Sequence, residues 1–212
     1  MAQFTELQVR TALEVGPRVA GDGSIVNMRG DRQGAGVVTQ LHGKYTEAAI
    51  RGKLFYSYVA AAAMSAPSTS AIGNIVWNPP GSGTVLALLK WNIIYKVTDA
   101  DALAIDLCYS PQVTTPTTVT AATTGCSRLG LNGTTTGVAK AYSIGTITTA
   151  AVPIYNLCHL TAAVNTVGEY KIEGDFEGSI IVPPGYLISL HSIADAAASG
   201  IGSTLMWEEI PE

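Results

Sequence analysis

From residue 89 the chain alternates strictly: Leu89, Trp91, Ile93, Tyr95 and Val97 share one face, and Lys90, Asn92, Ile94 and Lys96 share the other. A period of two, rich in aromatic and β-branched side chains, predicts a strand with one face on a core. Residues 85–89 are apolar on both faces, so the first half of this strand should lie deeper than the second. Ahead of it, Asn78-Pro79-Pro80-Gly81-Ser82-Gly83 reads as a turn: proline lacks the N–H a ladder needs, and glycine takes backbone angles other residues avoid. The same device recurs as Val182-Pro183-Pro184-Gly185-Tyr186 before a strand over 187–193. Two such turns, each launching a strand, predict two sheets folded over one core.

Further strands are expected over 53–59, with Leu54, Tyr56 and Tyr58 on one face, and over 72–77, 138–149, 152–158 and 202–210. Residues 60–70 read as a connection. After the turn Thr98-Asp99-Ala100-Asp101, the residues Leu103, Ile105, Leu107 and Tyr109 alternate again. So short a link predicts antiparallel pairing of the strands on either side of it. Tyr170, Ile172, Phe176 and Ile180 alternate with Lys171, Glu173, Asp175, Glu177 and Ser179, a strand with one wet face. The threonine-rich stretch 110–137 reads equally as two short edge strands or as a loop. The pattern predicts an all-β chain, a jelly-roll-type β-sandwich over residues 41–212, with Leu89, Trp91, Ile93, Ile105, Ile188 and Leu190 facing its core.

Residues 1–40 are different: glycine-rich, with few aromatics and too little apolar content to bury a core. They are expected to form an extended N-terminal arm, with a weak helical pattern over 5–14, that serves assembly. Arg10, Arg18, Arg29 and Arg32 are its expected anchors to a neighbouring protein surface, because a guanidinium grips carboxylates and carbonyls in a fixed fork. The alternative is an arm folded back on its own body.

Composition sharpens this. Only 13% of the 212 residues are charged, about half the usual share of a soluble domain, yet no run nears the ~20 apolar residues a membrane helix needs. A low-charge chain without a span fits either one that other protein covers or a threonine- and alanine-rich β-domain with a neutral surface. Residues 1–53 carry seven Lys and Arg against five Asp and Glu, and residues 54–212 carry five against eleven. So acidic a body argues against nucleic-acid binding. Cys108, Cys126 and Cys158 are too few and too scattered for a disulfide framework or a zinc ribbon, and no signal peptide is visible at the N-terminus, so a reducing cytoplasm is the expected site of folding.

The chemistry-bearing residues do not cluster. His42, His159 and His191 form no H-x-H or H-E-x-x-H pair, and Cys158-His159, adjacent on a strand, face opposite ways. Asp99, Asp101 and Asp106 lack the glycine and closing glutamate of a calcium loop, and Glu173, Asp175 and Glu177 read as a solvated strand face. Arg29-Gly30-Asp31 matches the tripeptide integrins bind but is short enough to arise by chance, and the sequon Asn132-Gly133-Thr134, with no secretory signal, is expected to stay unmodified. No catalytic residue, cofactor or metal ligand is expected.

Several blocks together resemble one family: Leu41-His42-Gly43-Lys44-Tyr45-Thr46-Glu47, Arg51-Gly52-Lys53-Leu54-Phe55, the two Pro-Pro-Gly turns, and the ending Trp207-Glu208-Glu209-Ile210-Pro211. They are similar to tailed-bacteriophage virion proteins of the capsid decoration, or cement, kind. The resemblance implies a jelly-roll body without enzymatic activity, made in the host bacterial cytoplasm. It would bind the outside of the capsid through the major capsid protein and through copies of itself, often as trimers. It implies neither a nucleic-acid nor a membrane partner. A receptor- or glycan-binding jelly roll at a fibre tip is the alternative function.

Overall fold

A computed structural model describes residues 44–95, 103–129, 136–160, 170–192 and 196–212. The arm expected over 1–40, the turn at 98–101 and the sequon lie outside these, and the strands fall in the unit Tyr45–Glu212. In chain order the elements are α1 (Thr46–Ile50), β1 (Leu54–Met64), β2 (Ser70–Asn78), β3 (Thr84–Tyr95), β4 (Leu103–Pro111), β5 (Thr117–Ala121), β6 (Thr123–Cys126), β7 (Lys140–Thr146), β8 (Val152–Leu160), β9 (Tyr170–Val182), β10 (Tyr186–Ser192) and β11 (Ala196–Pro211).

They make an all-β sandwich. One sheet runs β6-β1-β11-β3-β9 and the other β5-β7-β2-β10-β4-β8, with every described pairing antiparallel. Among the described residues, no two consecutive strands pair with each other. This corrects the expected pairing across 98–101: β3 lies in the five-stranded sheet and β4 in the six-stranded one, so the link crosses between sheets. The expected connection at 60–70 also begins later, because β1 runs on through Ala60 to Met64. Residues 110–137 do supply two short edge strands, one to each sheet.

Both Pro-Pro-Gly turns carry the chain from one sheet to the other, β2 to β3 and β9 to β10. Gly81, Gly83 and Gly185 have φ of 71°, 66° and 82°, the left-handed region that the sequence requires of them. The turns are tied together. Gly185 N–H donates to the Asn78 carbonyl at 2.8 Å, and Asn78 Nδ2 donates to the carbonyls of Thr84 (2.8 Å) and Val182 (3.0 Å).

Between the sheets lies the main core, with Trp91, Ile93, Ile105, Leu107, Ile188, Leu190, Leu205 and Trp207 among its members. Five of the six expected core residues are there. Leu89 is buried too, but in a register shift: Lys90 pairs with Asp175 and Leu88 with Ile180, so Leu88 takes the inward position. Opposite Leu89, residues 176–179 form a wide bulge, with Glu177 and Gly178 at φ of 54° and 80°. The bulge aims Phe176 into the core, where it meets Tyr155 of β8 edge-on at 5.8 Å.

A second, smaller core covers the far face of the six-stranded sheet. Ile75, Trp77, Cys108 and Leu187 pack there under Ile147 and Ala151. The links 65–69 and 147–151 hold this cover in place through Ile147 N–H to the Thr69 carbonyl (2.9 Å) and Ser192 N–H to the Ser65 carbonyl (3.1 Å). Buried Gln112 fixes it further: its Oε1 accepts from Thr148 N–H at 2.9 Å, and its carbonyl accepts from Trp77 Nε1 at 2.8 Å.

Candidate functional site

The structure brings together one pair that looks chemically capable. Ser189 and His191 are two apart on β10, hence on one face, and His191 Nε2 lies 2.8 Å from Ser189 Oγ. Its Nδ1 lies 3.1 Å from the Ser65 carbonyl. The neutral tautomer that satisfies both contacts donates from Nδ1 and accepts from the serine hydroxyl, as a nucleophile–base pair would. Asp106 stands directly across the ladder from His191 and accepts from Asn156 Nδ2 at 2.7 Å. But Ser189 and His191 are both 0% exposed, sealed under the link 65–69. A nucleophile that no substrate can reach is a structural hydrogen bond. The Ser-x-His spacing was visible in the sequence; the cover was not.

Burial pushes the His191 imidazole below its ordinary range, while the hydrogen bonds to the Ser65 and Ala66 backbone act in the other direction. Between that lowered value and about 6.5 the unfolded chain therefore holds the extra proton, so stability is whole above about pH 6.5 and declines as the pH falls toward the folded value. Urea midpoints measured from pH 8 to pH 5 are expected to drop through this window. They should drop less in His191→Asn, which keeps a donor for the Ser65 carbonyl but does not titrate. Equal slopes in both proteins would exclude His191 as the cause.

The three cysteines are free and buried. Burial, with Asp106 adding to it, pushes the Cys108 thiol up to about 12, far from a reactive thiolate. Cys158 faces the core and His159 is exposed, the opposite facing expected of adjacent strand residues. The acidic row on β9 is solvated. Asp175 pairs with Lys90 at 3.5 Å and Glu173 with Lys171 at 2.7 Å, which holds the Glu173 carboxyl below the usual range. Lys90, Asn92, Glu173, Asp175, Thr204 and Met206 line an open groove of about 320 Å³ on this outer face. Among the described residues no group of three or more His, Cys, Asp or Glu could hold a metal ion, and no helix is long and apolar enough to cross a membrane.

Arg10, Arg18, Arg29 and Arg32, the expected anchors, lie outside the described residues, as do His42, Asp99, Asp101 and Arg29-Gly30-Asp31. Missed in the sequence was the unequal distribution of charge over the sandwich. The outer face of the five-stranded sheet carries Lys90, Lys171, Glu173 and Asp175. Residues 107–168, which build β5 to β8, hold only two Lys, Arg, Asp or Glu side chains, Arg128 and Lys140. Of the thirteen large apolar side chains exposed among the described residues, eight belong to that same stretch, whose strands lie at both edges of the six-stranded sheet and at one edge of the five-stranded sheet.

No protein-family model, curated protein or solved structure matches this chain.

Proposed function

We propose that the chain is a non-enzymatic structural protein of a tailed-phage virion, decorating and stabilising the capsid from outside. Its partners in this reading are the major capsid protein and further copies of itself. The observation that carries it is the stretch 107–168, poor in charge and rich in exposed apolar groups, which supplies edge strands to both sheets and has the composition of surface that other protein covers. The strand order adds support. With β5, β6 and β7 set aside, the sheets run β1-β11-β3-β9 and β2-β10-β4-β8, an order that favours a jelly roll with an insertion between its fourth and fifth strands. The sealing of Ser189 and His191 weighs against hydrolysis. A glycan-binding tip calls for exposed aromatics on loops; Trp77, Trp91 and Trp207 are buried, and the exposed Tyr58, Tyr109, Tyr155 and Tyr186 lie in strands.

Residues 1–40 are assigned the assembly role in this reading, with Arg10, Arg18, Arg29 and Arg32 gripping carboxylates or carbonyls of the shell or of a neighbouring copy. Two measurements test the proposal. Mass spectrometry of purified virions should find the protein in hundreds of copies, and its absence from virions would end the reading. Deleting residues 1–36 should leave a cooperative melt but abolish binding to capsids that lack the protein. A truncated chain that binds as tightly as the whole one would remove the arm from the account.

A further inference from the structure

We propose that the sandwich binds a small uncharged aromatic molecule, one carrying a hydrogen-bond acceptor, in the cavity between β6 and β7.

The cavity measures about 370 Å³, within the range of small-molecule sites. The strand ladders explain why it exists. Only Ala122 separates β5 from β6, and these strands belong to different sheets, so the chain closes one end there. β5 stops opposite Tyr142, which leaves the start of β7 without a strand beyond it. From the five-stranded sheet, Phe55 and Trp207 face this gap as ladder partners, their rings stacked at 6.4 Å. On the facing wall the inward residues are Ala139 and Ala141, and two methyl groups leave open the space that Ile and Leu fill elsewhere in the core. That wall is held in place. Glu209, 4% exposed, accepts from the N–H groups of Val138 and Ala139, one on each carboxylate oxygen, both at 3.0 Å.

Trp207 brings an unmet donor to this space. It lines the cavity, is 1% exposed, and its Nε1 has no acceptor among the described residues. Trp77, by contrast, donates to the Gln112 carbonyl at 2.8 Å. Native proteins leave few buried donors unmet, because such a group loses its bonds to water and gains none. A flat ring laid against the Phe55–Trp207 pair, with an oxygen on its edge, supplies stacking and the missing acceptor together. Charge favours neither ion. Lys140, the one charged lining residue among those described, stands at the rim, while the Glu209 carboxylate lies behind the wall. Residues 54–212 also hold eleven acidic groups against five basic ones, so an anion gains nothing by entering and the fitting ligand is neutral.

Coumarin, a neutral fused ring with a lactone carbonyl, is the probe, and naphthalene is its counterpart without the acceptor. The full chain has three tryptophans, so labelling its indole nitrogens gives three N–H signals. Coumarin should bind saturably, move the Trp207 signal downfield and leave those of Trp77 and Trp91 in place. It should bind about tenfold more tightly than naphthalene, the effect of one neutral hydrogen bond. Trp207→Phe keeps a ring but not the donor; it assigns the signal and should erase that difference. Thr124 lies across from Ser57 on β6, exposed at the mouth of the cavity, so Thr124→Phe should block coumarin. Thr204→Phe, in the outer groove of the same sheet, should not. The absence of saturable coumarin binding overturns the proposal. So does equal affinity for the two probes, a response at Trp77 or Trp91 in place of Trp207, or a preference for coumarin that survives Trp207→Phe. Should Trp207→Phe fail to fold, the two threonine variants decide: undiminished binding by Thr124→Phe, or equal loss in Thr204→Phe, removes the site.

Discussion

Replacing Ile93 by alanine is expected to destabilise the sandwich by about 2–5 kcal/mol, the range for deleting a fully buried aliphatic side chain. Ile93 is 1% exposed and belongs to the main core. It sits on β3, flanked by Ser203 of β11 and Ile172 of β9, so neither neighbouring strand can move in to fill the space without giving up a ladder. Denaturant melts of the purified variant check this. A loss of a few tenths of a kcal/mol would mean that the site collapses freely or that Ile93 faces elsewhere.

Asn78→Ala is expected to cost about 1–3 kcal/mol, because it takes the side-chain donor from the buried Val182 carbonyl, while the half-buried Thr84 carbonyl keeps its bond from Ser82 Oγ. The Asn78 side chain is the shared clasp of the two Pro-Pro-Gly turns, with Nδ2 bonded to Thr84 and Val182. Its Oδ1 is buried without a partner, so alanine relieves that unsatisfied acceptor, and the cost comes from the lost tie to the Val182 carbonyl and between the two turns. The effect should be local as well as global: amide exchange at Gly185 should quicken more than exchange at Ile93. A midpoint within experimental error of wild type would show that the turns hold without the clasp.

The strands were legible because one-face burial writes a period of two, and residues 171–176 alternate wet and dry as read. Partners were not legible. Alternation in Leu103, Ile105 and Leu107 says which face is buried but not which strand lies alongside, and the shortness of the link after β3 suggested a hairpin where the chain crosses to the other sheet. Leu89 shows a second limit. An uninterrupted apolar run conceals a register shift, because every residue in it is suited to either face. The cover over Ile75, Trp77 and Leu187 is built from links of serine, threonine and alanine, residues that read as exposed until hydrogen bonds to Gln112 and to the 65–69 backbone account for their polar groups. That cover turned His191 from a surface residue into a buried one, and with it decided the fate of the Ser189–His191 pair.

The absence of pairing between consecutive strands has a consequence for how the protein is made. Sheets of hairpins can begin to form as each strand leaves the ribosome, but here β1 has β11 and β6 for partners, and β2 has β10 and β7. The five-stranded sheet cannot be completed until β11 has emerged, since β11 stands between β1 and β3. Until then β1 and β3, with Leu54, Phe55, Leu86 and Leu88, each lack one of their two partner strands, having only β6 and β9 to pair with, during a synthesis that proceeds at roughly 5–20 residues per second. Closing separations of this length places the chain among the slow folders. In the nascent chain these strands are therefore the segments that a chaperone would hold, and crowded translation is where aggregation would begin.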